Sequence, residues 1–312
     1  MTHLGRCILV ISLVALVAPG PTLAQDASDV PVFRSQVNLV SLAAVVRDKR
    51  GRIVSSLTKA DFEILENGRP VPVLEVRSER DAPANIALLV DGSGSMRLNA
   101  SFALARTISE QILAGLDEGR DEAALYSFDT RVLTLQAFTP ELAKVRTALT
   151  YLEAWGSTSL YDAISGVAGK IHERSETRRA IVVFTDGNDT TSTVTPGEVA
   201  TITSALDVPV YVFALNPSAP PATSEKAPEP ALAALARETG GVYFVATDTE
   251  ALVGQVAMLM QELRHQHVLA FEASTERGWR SLELRVRGRG YKIRTRGWYW
   301  AGDSAPLARQ PQ

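Results

Sequence analysis

Residues 86–90, Ile-Ala-Leu-Leu-Val, are apolar without a break and run straight into Asp91-Gly92-Ser93. A run with no solvent-facing position suits a strand covered on both sides by helices. Phe102, Ala105, Ile108, Ile112 and Leu116 then recur at helical spacing and predict one buried stripe of a helix. The same reading predicts strands over Ala123 to Phe128, Val132 to Phe138, Ala180 to Thr185, Val208 to Leu215 and Val242 to Ala246. Helices are expected from Pro140, after Thr158 and over Ala231 to Thr239. Thr195-Pro196-Gly197-Glu198 joins an N-capping threonine, a proline at the first helical position and a glutamate that reaches back, so a helix starts there too. A last helix, about Thr249 to His265 and capped by Thr247 to Glu250, places Leu252, Val256, Leu259 and Leu263 on one face.

Strands alternating with helices imply a doubly wound α/β fold, Rossmann-like, with a mostly parallel sheet. Ligands of such sheets sit at the carboxyl ends of the strands, near a topological switch point. One strand is expected to be antiparallel. Asp129-Thr130-Arg131 is too short for a helical crossover, so the strands on either side of it form a hairpin at the sheet edge.

On both flanks the period changes to two. Val37, Leu39 and Leu42 to Val46 are strand-like, Asp48 to Gly51 is a turn, and Glu66-Asn67-Gly68 is a hairpin turn between two alternating runs, Phe62 to Leu65 and Val71 to Val76. His267 to Phe271, Leu282 to Val286 and Tyr291 to Thr295 alternate in the same way. Each flank alone is too small for a stable sheet. Joined, they supply about six or seven strands, enough for a β-sandwich into which the α/β region is inserted. The expected organisation is 1–24 export signal, 25–35 leader, 36–80 and 266–300 the two parts of the sandwich, 84–265 the α/β domain, and 301–312 a disordered tail. Ser218 to Pro230 reads as a loop by composition.

The chain has 312 residues, 46% hydrophobic and 21% charged, with a formal net charge of -3. This supports about two domains with a real core. The net charge argues against a nucleic-acid partner, which requires a basic surface. His3 and Arg6 precede the apolar run Cys7 to Ala18, which is shorter than the ~20 residues of a relaxed membrane span. Pro19, Gly20 and Pro21 interrupt it, and Thr22-Leu23-Ala24 resembles a small-residue cleavage site. The expectation is an exported protein, periplasmic or secreted, cut after Ala24 and without a transmembrane segment once the signal is removed. The alternative is an uncleaved anchor. Cys7 is the only cysteine, so the mature chain would hold neither a disulfide nor a cysteine metal site.

Candidate chemistry gathers where predicted strands end. Asp91, Ser93 and Ser95 offer oxygens at alternate positions, with Gly92 and Gly94 allowing a tight turn. Thr158 opens a helix within Gly156-Ser157-Thr158-Ser159, and Asp186 directly follows the strand Ala180 to Thr185. An oxygen-only set of this kind suits a hard cation. The pattern resembles the metal-ion-dependent adhesion site of the von Willebrand factor A family, which uses Asp-x-Ser-x-Ser, a threonine on a second loop and an aspartate on a third. Residue by residue, these are Asp91, Ser93, Ser95, Thr158 and Asp186. The similarity spans about Asn85 to Arg264.

The flanks, from Val37-Asn38-Leu39-Val40 through Glu66-Asn67-Gly68 and again at Arg294-Thr295-Arg296-Gly297-Trp298-Tyr299, resemble bacterial VWFA-related proteins of the acidobacterial type. The resemblance implies a bound Mg²⁺, with Mn²⁺ or Ca²⁺ as substitutes, and one coordination position left for the Asp or Glu carboxylate of a partner protein. It leaves the oligomeric state open. It also raises one difficulty: the threonine loop of much of the family reads Gly-Gly-Thr. Ser157 in place of the second glycine would be strained by roughly 1 kcal/mol if that position needs a positive φ.

Other readings compete. The segment Asp91 to Ser95 taken alone also suits a glycine-rich capping turn. Gly92-Ser93-Gly94-Ser95-Met96-Arg97 half-resembles a dinucleotide turn, but Arg97 stands where a third glycine belongs. Neither Ser93 nor Ser95 has the Gly-x-Ser-x-Gly context of a hydrolase elbow, and no nucleophile–base–orienter set emerges around His172, His265 and His267. His172 is expected on a solvated mid-helix face. His265-Gln266-His267 is read as a helix C-terminal cap rather than a soft-metal site. Asn188 and Asp189 are read as turn formers, and Asp162 either as support for the site or as a favourable charge at a helix start. Arg285, Arg287, Arg289, Arg294 and Arg296 suggest a solvated sheet face, with contact to anionic envelope polymers as the alternative. The functional expectation is a metal-dependent binding or adhesion module and not an enzyme. The alternatives are a structural scaffold with a stabilising metal and, behind it, a metal-dependent hydrolase.

Overall fold

In the computed structural model the described residues are 38–78, 82–153, 156–174, 178–187, 189–215, 230–246, 249–288 and 290–302. The expected export signal, the leader, most of the loop from Ser218 to Pro230, Asn188, Thr247, Arg289 and nearly all of the expected tail lie outside them.

The N-terminal flank forms β1 (Leu39–Arg47), β2 (Phe62–Glu66), β3 (Arg69–Val71) and β4 (Val73–Arg77). Asn67 and Gly68 both take positive φ, 47° and 77°, as the tight β2–β3 turn requires. The alternating run Val71 to Val76 does not make one strand. Pro72 has no N–H to give to a ladder, and the chain changes sheets there, with β3 pairing to β2 and β4 joining the other sheet.

The central region is β5 (Ala84–Asp91), α1 (Ser101–Ala114), β6 (Glu122–Phe128), β7 (Val132–Thr139), α2 (Leu142–Leu149), α3 (Leu160–His172), β8 (Arg178–Thr185), α4 (Pro196–Ala205), β9 (Val210–Leu215), α5 (Ala231–Glu238), β10 (Tyr243–Ala246) and α6 (Thr249–Arg264). Its sheet runs β10-β9-β8-β5-β6-β7. The pairings are parallel except for β6 with β7, the expected antiparallel hairpin at one edge. Every position of β5 is buried, and its side chains divide between two cores. Ile86, Leu88 and Val90 pack with α1, α2 and α6, including Leu252, Val256, Leu259 and Leu263. Ala87 and Leu89 pack with α3, α4 and α5 on the other face. The Thr195–Glu198 capping box forms as expected, with proline at the start of α4.

The C-terminal flank forms β11 (His267–Glu272), β12 (Gly278–Val286), β13 (Lys292–Arg294) and β14 (Trp298–Ala301). Two four-stranded sheets result, β13-β1-β11-β4 and β14-β12-β2-β3, each mixing strands from both flanks. Leu42, Leu269 and Phe271 of the first share one core with Ile64, Leu284 and Tyr299 of the second. The α/β region is thus inserted into a β-sandwich. The sandwich has more strands than expected because Pro72 divides one alternating run between the two sheets and Trp298–Ala301 adds a short strand. β4, which precedes the insertion, pairs with β11, which follows it, with Arg77 opposite Val268. Entry and exit therefore lie side by side, and an insertion at neighbouring termini need not disturb the host sheet.

Two expectations fail where the sandwich meets the α/β region. Arg294 and Arg296 are not on a solvated face. Arg294 forms an ion pair with the fully buried Glu262 of α6, which also pairs with Arg47 of β1 at 2.9 Å. Arg296 is buried, and its guanidinium donates to the Ser204 carbonyl at 2.5 Å and the Ser41 carbonyl at 2.6 Å. Alternation along a strand cannot reveal that its outer face is covered by another part of the chain. Arg285, in contrast, is exposed beside Glu283.

His267 is not a helix cap. It starts β11, is fully buried, and meets the Val54 carbonyl through Nε2 at 2.7 Å. His265 does lie at the helix end, with Nδ1 2.9 Å from the Gln261 carbonyl. His172 is exposed as expected, but at the last position of α3, 3.1 Å from the Leu206 carbonyl.

Candidate functional site

β5 is where the sheet changes direction: β6 lies on one side of it and β8 on the other. A crevice opens at the carboxyl ends of strands at such a point. Asp91 is the last residue of β5 and stands opposite Phe128 of β6. Gly92 then donates to the Phe128 carbonyl at 2.6 Å. A Cβ at position 92 would lie 2.9 Å from Ser127 Oγ and 3.1 Å from that carbonyl, so any side chain there would push on Ser127 and on the strand end that holds the turn. The turn brings the Ser93 N–H onto Asp91 Oδ1 at 2.9 Å and leaves the Ser93 and Ser95 hydroxyls 3.0 Å apart. Asp91 has no exposed surface, Ser93 is buried and Ser95 half-buried.

The second and third loops close on the first. Gly94 N–H donates to the Gly156 carbonyl at 3.3 Å, which ties the Ser93 turn to the loop before α3. Thr158, on that loop, is buried. Its carbonyl accepts the N–H groups of Thr190 and Thr191 at 2.9 and 3.1 Å, and its own N–H donates to Thr190 Oγ1 at 3.0 Å. Asp186, half-buried, follows Thr185 at the end of β8. Thr185 donates its hydroxyl to Asp91 Oδ2 at 2.6 Å, which joins the third strand end to the first. The three loops that carry Asp91, Ser93, Ser95, Thr158 and Asp186 therefore meet at one end of the sheet.

The acids around this centre divide by role. Asp189 is more than a turn former. Its Oδ1 accepts the Leu160 N–H at 2.8 Å and the Ser192 hydroxyl at 2.6 Å, so it satisfies a donor at the start of α3 from a loop far along the chain. Asp162 accepts the N–H groups of Thr193 and Val194, both at 3.0 Å, and pins the third loop to α3. Ser157 carries no left-handed strain. Among the described residues only Asn67 and Asp207 are non-glycine positions with positive φ, and the left-handed position of this loop is Gly156, at 89°. The expected cost at Ser157 is absent because the turn places its special conformation one residue earlier.

Burial pushes the Asp91 carboxyl up to about 6, against the hydrogen bonds from Thr185 and Ser93, and the neighbouring charge of Asp186 adds to the rise. Its hydrogen-bond partners, the Thr185 hydroxyl and the backbone N–H and hydroxyl of Ser93, are all neutral.

Residues 86–188 match the family model of the von Willebrand factor type A domain. The chain carries a von Willebrand factor type A domain. Solved structures similar to it include an aerotolerance-related membrane protein from Bacteroides fragilis, with 18% identity, 58% of this chain and 98% of that chain covered, and a TM-score of 0.48. A von Willebrand factor type A protein from Catenulispora acidiphila has 12% identity over 86% of this chain and 74% of that chain, with a TM-score of 0.47. Proximal thread matrix protein 1 from the mussel byssus, with a zinc occupied MIDAS motif, has 14% identity over 63% of this chain and 50% of that chain, with a TM-score of 0.48. No curated protein matches the chain.

Within this A domain, sequence reasoning overlooked Thr185 and the hydroxyl run Thr190-Thr191-Ser192-Thr193. The run itself was a signal. Four consecutive hydroxyl side chains just after a candidate ligand loop are well suited to bind backbone groups of a neighbouring loop.

Proposed function

We propose that the A domain is a metal-ion-dependent protein-binding module of an exported protein, holding Mg²⁺ through Asp91, Ser93, Ser95, Thr158 and Asp186. Mn²⁺ or Ca²⁺ are substitutes with the same preference for oxygen. The observation that carries this reading is Asp91, a fully buried carboxylate with neutral partners and a second acid beside it. A buried charge is costly unless it is paired or coordinates a metal, and the neighbouring donors are hydroxyls, which complement a hard cation. Bound there, a divalent ion supplies a Lewis-acidic contact for an Asp or Glu carboxylate of a partner protein. Asp91 and Asp186 contribute charge, Ser93, Ser95 and Thr158 contribute neutral oxygens, and the surrounding rim selects among partners.

Binding rather than catalysis is favoured by where the bases lie. His172 is at the far end of α3, His265 at the end of α6 and His267 inside the sandwich. Export is favoured by the apolar N-terminal segment Cys7 to Ala18. Among the described residues no helix is long and apolar enough to cross a membrane.

Calorimetric titration of the chelator-treated full chain with Mg²⁺ and Mn²⁺ tests the site. The wild type takes up one ion and Asp91→Asn takes up none, while both melt cooperatively. A folded wild type that binds neither ion ends the proposal. Capture of envelope proteins in Mg²⁺ but not in chelator, lost in Asp91→Asn, separates a binding module from a scaffold with a stabilising ion.

A further inference from the structure

The cation reading leaves open what holds its oxygens in place, and the loop after β8 answers with more than Asp186. Thr185 Oγ1 accepts the Gly187 N–H at 3.1 Å, so its single proton is directed to Asp91 Oδ2 at 2.6 Å. Asp91 is thereby fixed at both oxygens, by Ser93 from its own turn and by Thr185 from the neighbouring strand. Thr158 is gripped in the same way. Its N–H is taken by Thr190 Oγ1 at 3.0 Å, and its carbonyl receives Thr190 N–H, Thr191 N–H and the Thr191 hydroxyl at 2.9, 3.1 and 3.1 Å. The loop is in turn clamped by Asp162 and Asp189.

We infer that Thr185 and Thr190 are positioning residues of the cation site: the third loop is a template that sets the orientation of the Asp91 carboxylate from one side and of Thr158 from the other. This rests on the reading of the site given above. Residues that orient ligands from behind usually alter metal affinity by about 10–100-fold when removed. Asp91 and Thr158 lie on different segments, yet both receive their fixing bonds from Thr185 to Thr191, so the geometry is set by one element. Preorganisation of this kind lets the donors meet a cation without first being ordered.

The test is a calorimetric Mg²⁺ titration of the full chain as wild type, Thr185→Val, Thr185→Ser and Thr190→Ala, with melting followed in chelator. Thr185→Val keeps the shape but loses the hydroxyl, and Thr185→Ser restores it. Thr190 is exposed, so Thr190→Ala is expected to fold even where Thr185→Val does not. Both hydroxyl-deleting variants should bind Mg²⁺ tenfold or more weakly, while Thr185→Ser binds as the wild type does and metal-free Thr190→Ala still melts cooperatively, at a somewhat lower temperature because the Thr158 N–H has lost its acceptor. Wild-type affinity in folded Thr190→Ala overturns the inference, as does a Thr185→Ser variant as weak as Thr185→Val. If these variants and the wild type all bind equally, only the template fails. If the wild type binds no ion, the cation site fails and the template with it.

Discussion

Each end of β5 has a carboxylate with no exposed surface, and the two are held in opposite ways. At the start of the strand, Asp121 accepts the Ala84 N–H at 2.9 Å and the Asp117 N–H at 2.8 Å and forms an ion pair with Arg264 of α6. Burial works to raise its pKa, but Arg264 and the two backbone donors outweigh it, and the carboxyl lies below its ordinary 3.8. At the other end, Asp91 has only neutral donors, the Thr185 hydroxyl and the N–H and hydroxyl of Ser93, lies near the charge of Asp186, and is pushed up to about 6 by burial. Desolvation opposes ionisation at both, more strongly at Asp91. The first is compensated within the chain, which makes it a structural element. The second is not, and that imbalance is what supports the cation proposed there. A buried acid is thus informative less by its burial than by what is left to balance it.

The comparison breaks most visibly at its paired end. Asp121→Ala leaves Arg264 without its buried partner, and removing one member of such a pair typically costs about 3 kcal/mol or more. Urea unfolding should show that loss while Mg²⁺ uptake survives in the fraction that stays folded. Mg²⁺ should then act only on the other end. At a hundredfold excess over its dissociation constant it should stabilise wild type and Asp121→Ala by about 2.7 kcal/mol each and leave Asp91→Asn unmoved. Equal stabilisation of Asp91→Asn would erase the distinction between the two ends.

Acid sharpens the contrast further. The folded pKa of Asp121 is depressed, so its contribution is fully present above 3.8 and is lost as pH falls through the lower folded value. Acid unfolding of the wild type should therefore steepen below pH 3.8, and that steepening should be reduced in Asp121→Asn. The smallest effect is expected at the threonine loop. Ser157→Gly, which restores the family's glycine, should shift stability by less than about 0.5 kcal/mol, because position 157 is not left-handed. Gly156→Ala, at φ 89°, should cost more.

Much of the α/β region was legible because its signals are local. An uninterrupted apolar run announces a doubly covered strand, a three-residue gap excludes a crossover, and Thr195-Pro196-Gly197-Glu198 carries its own helix start. The Asp91-Gly92-Ser93-Gly94-Ser95 turn is legible for the same reason, since Ser93 meets Asp91 within one turn of chain. Misreadings cluster where one segment covers another. Arg294 and Arg296 alternate like solvent-facing residues yet lie against Glu262 and Ser204. His267 sits beside a helix end in sequence but within a sheet in space.

The order of residues alone therefore determined the two strand periods, the hairpin at the sheet edge, the interruption of one fold by another and the oxygen-bearing types at each strand end. Only the tertiary structure decided which strand-end loops meet, that Thr185 and Thr190 bond to Asp91 and Thr158, and that Gly156 rather than Ser157 has positive φ. The physical reason is range. Periodicity and capping act within a few residues, whereas the bonds from Thr185 to Asp91, from Thr190 to Thr158 and from Arg294 to Glu262 exist only after distant strands and loops have been brought side by side by burial of their apolar faces.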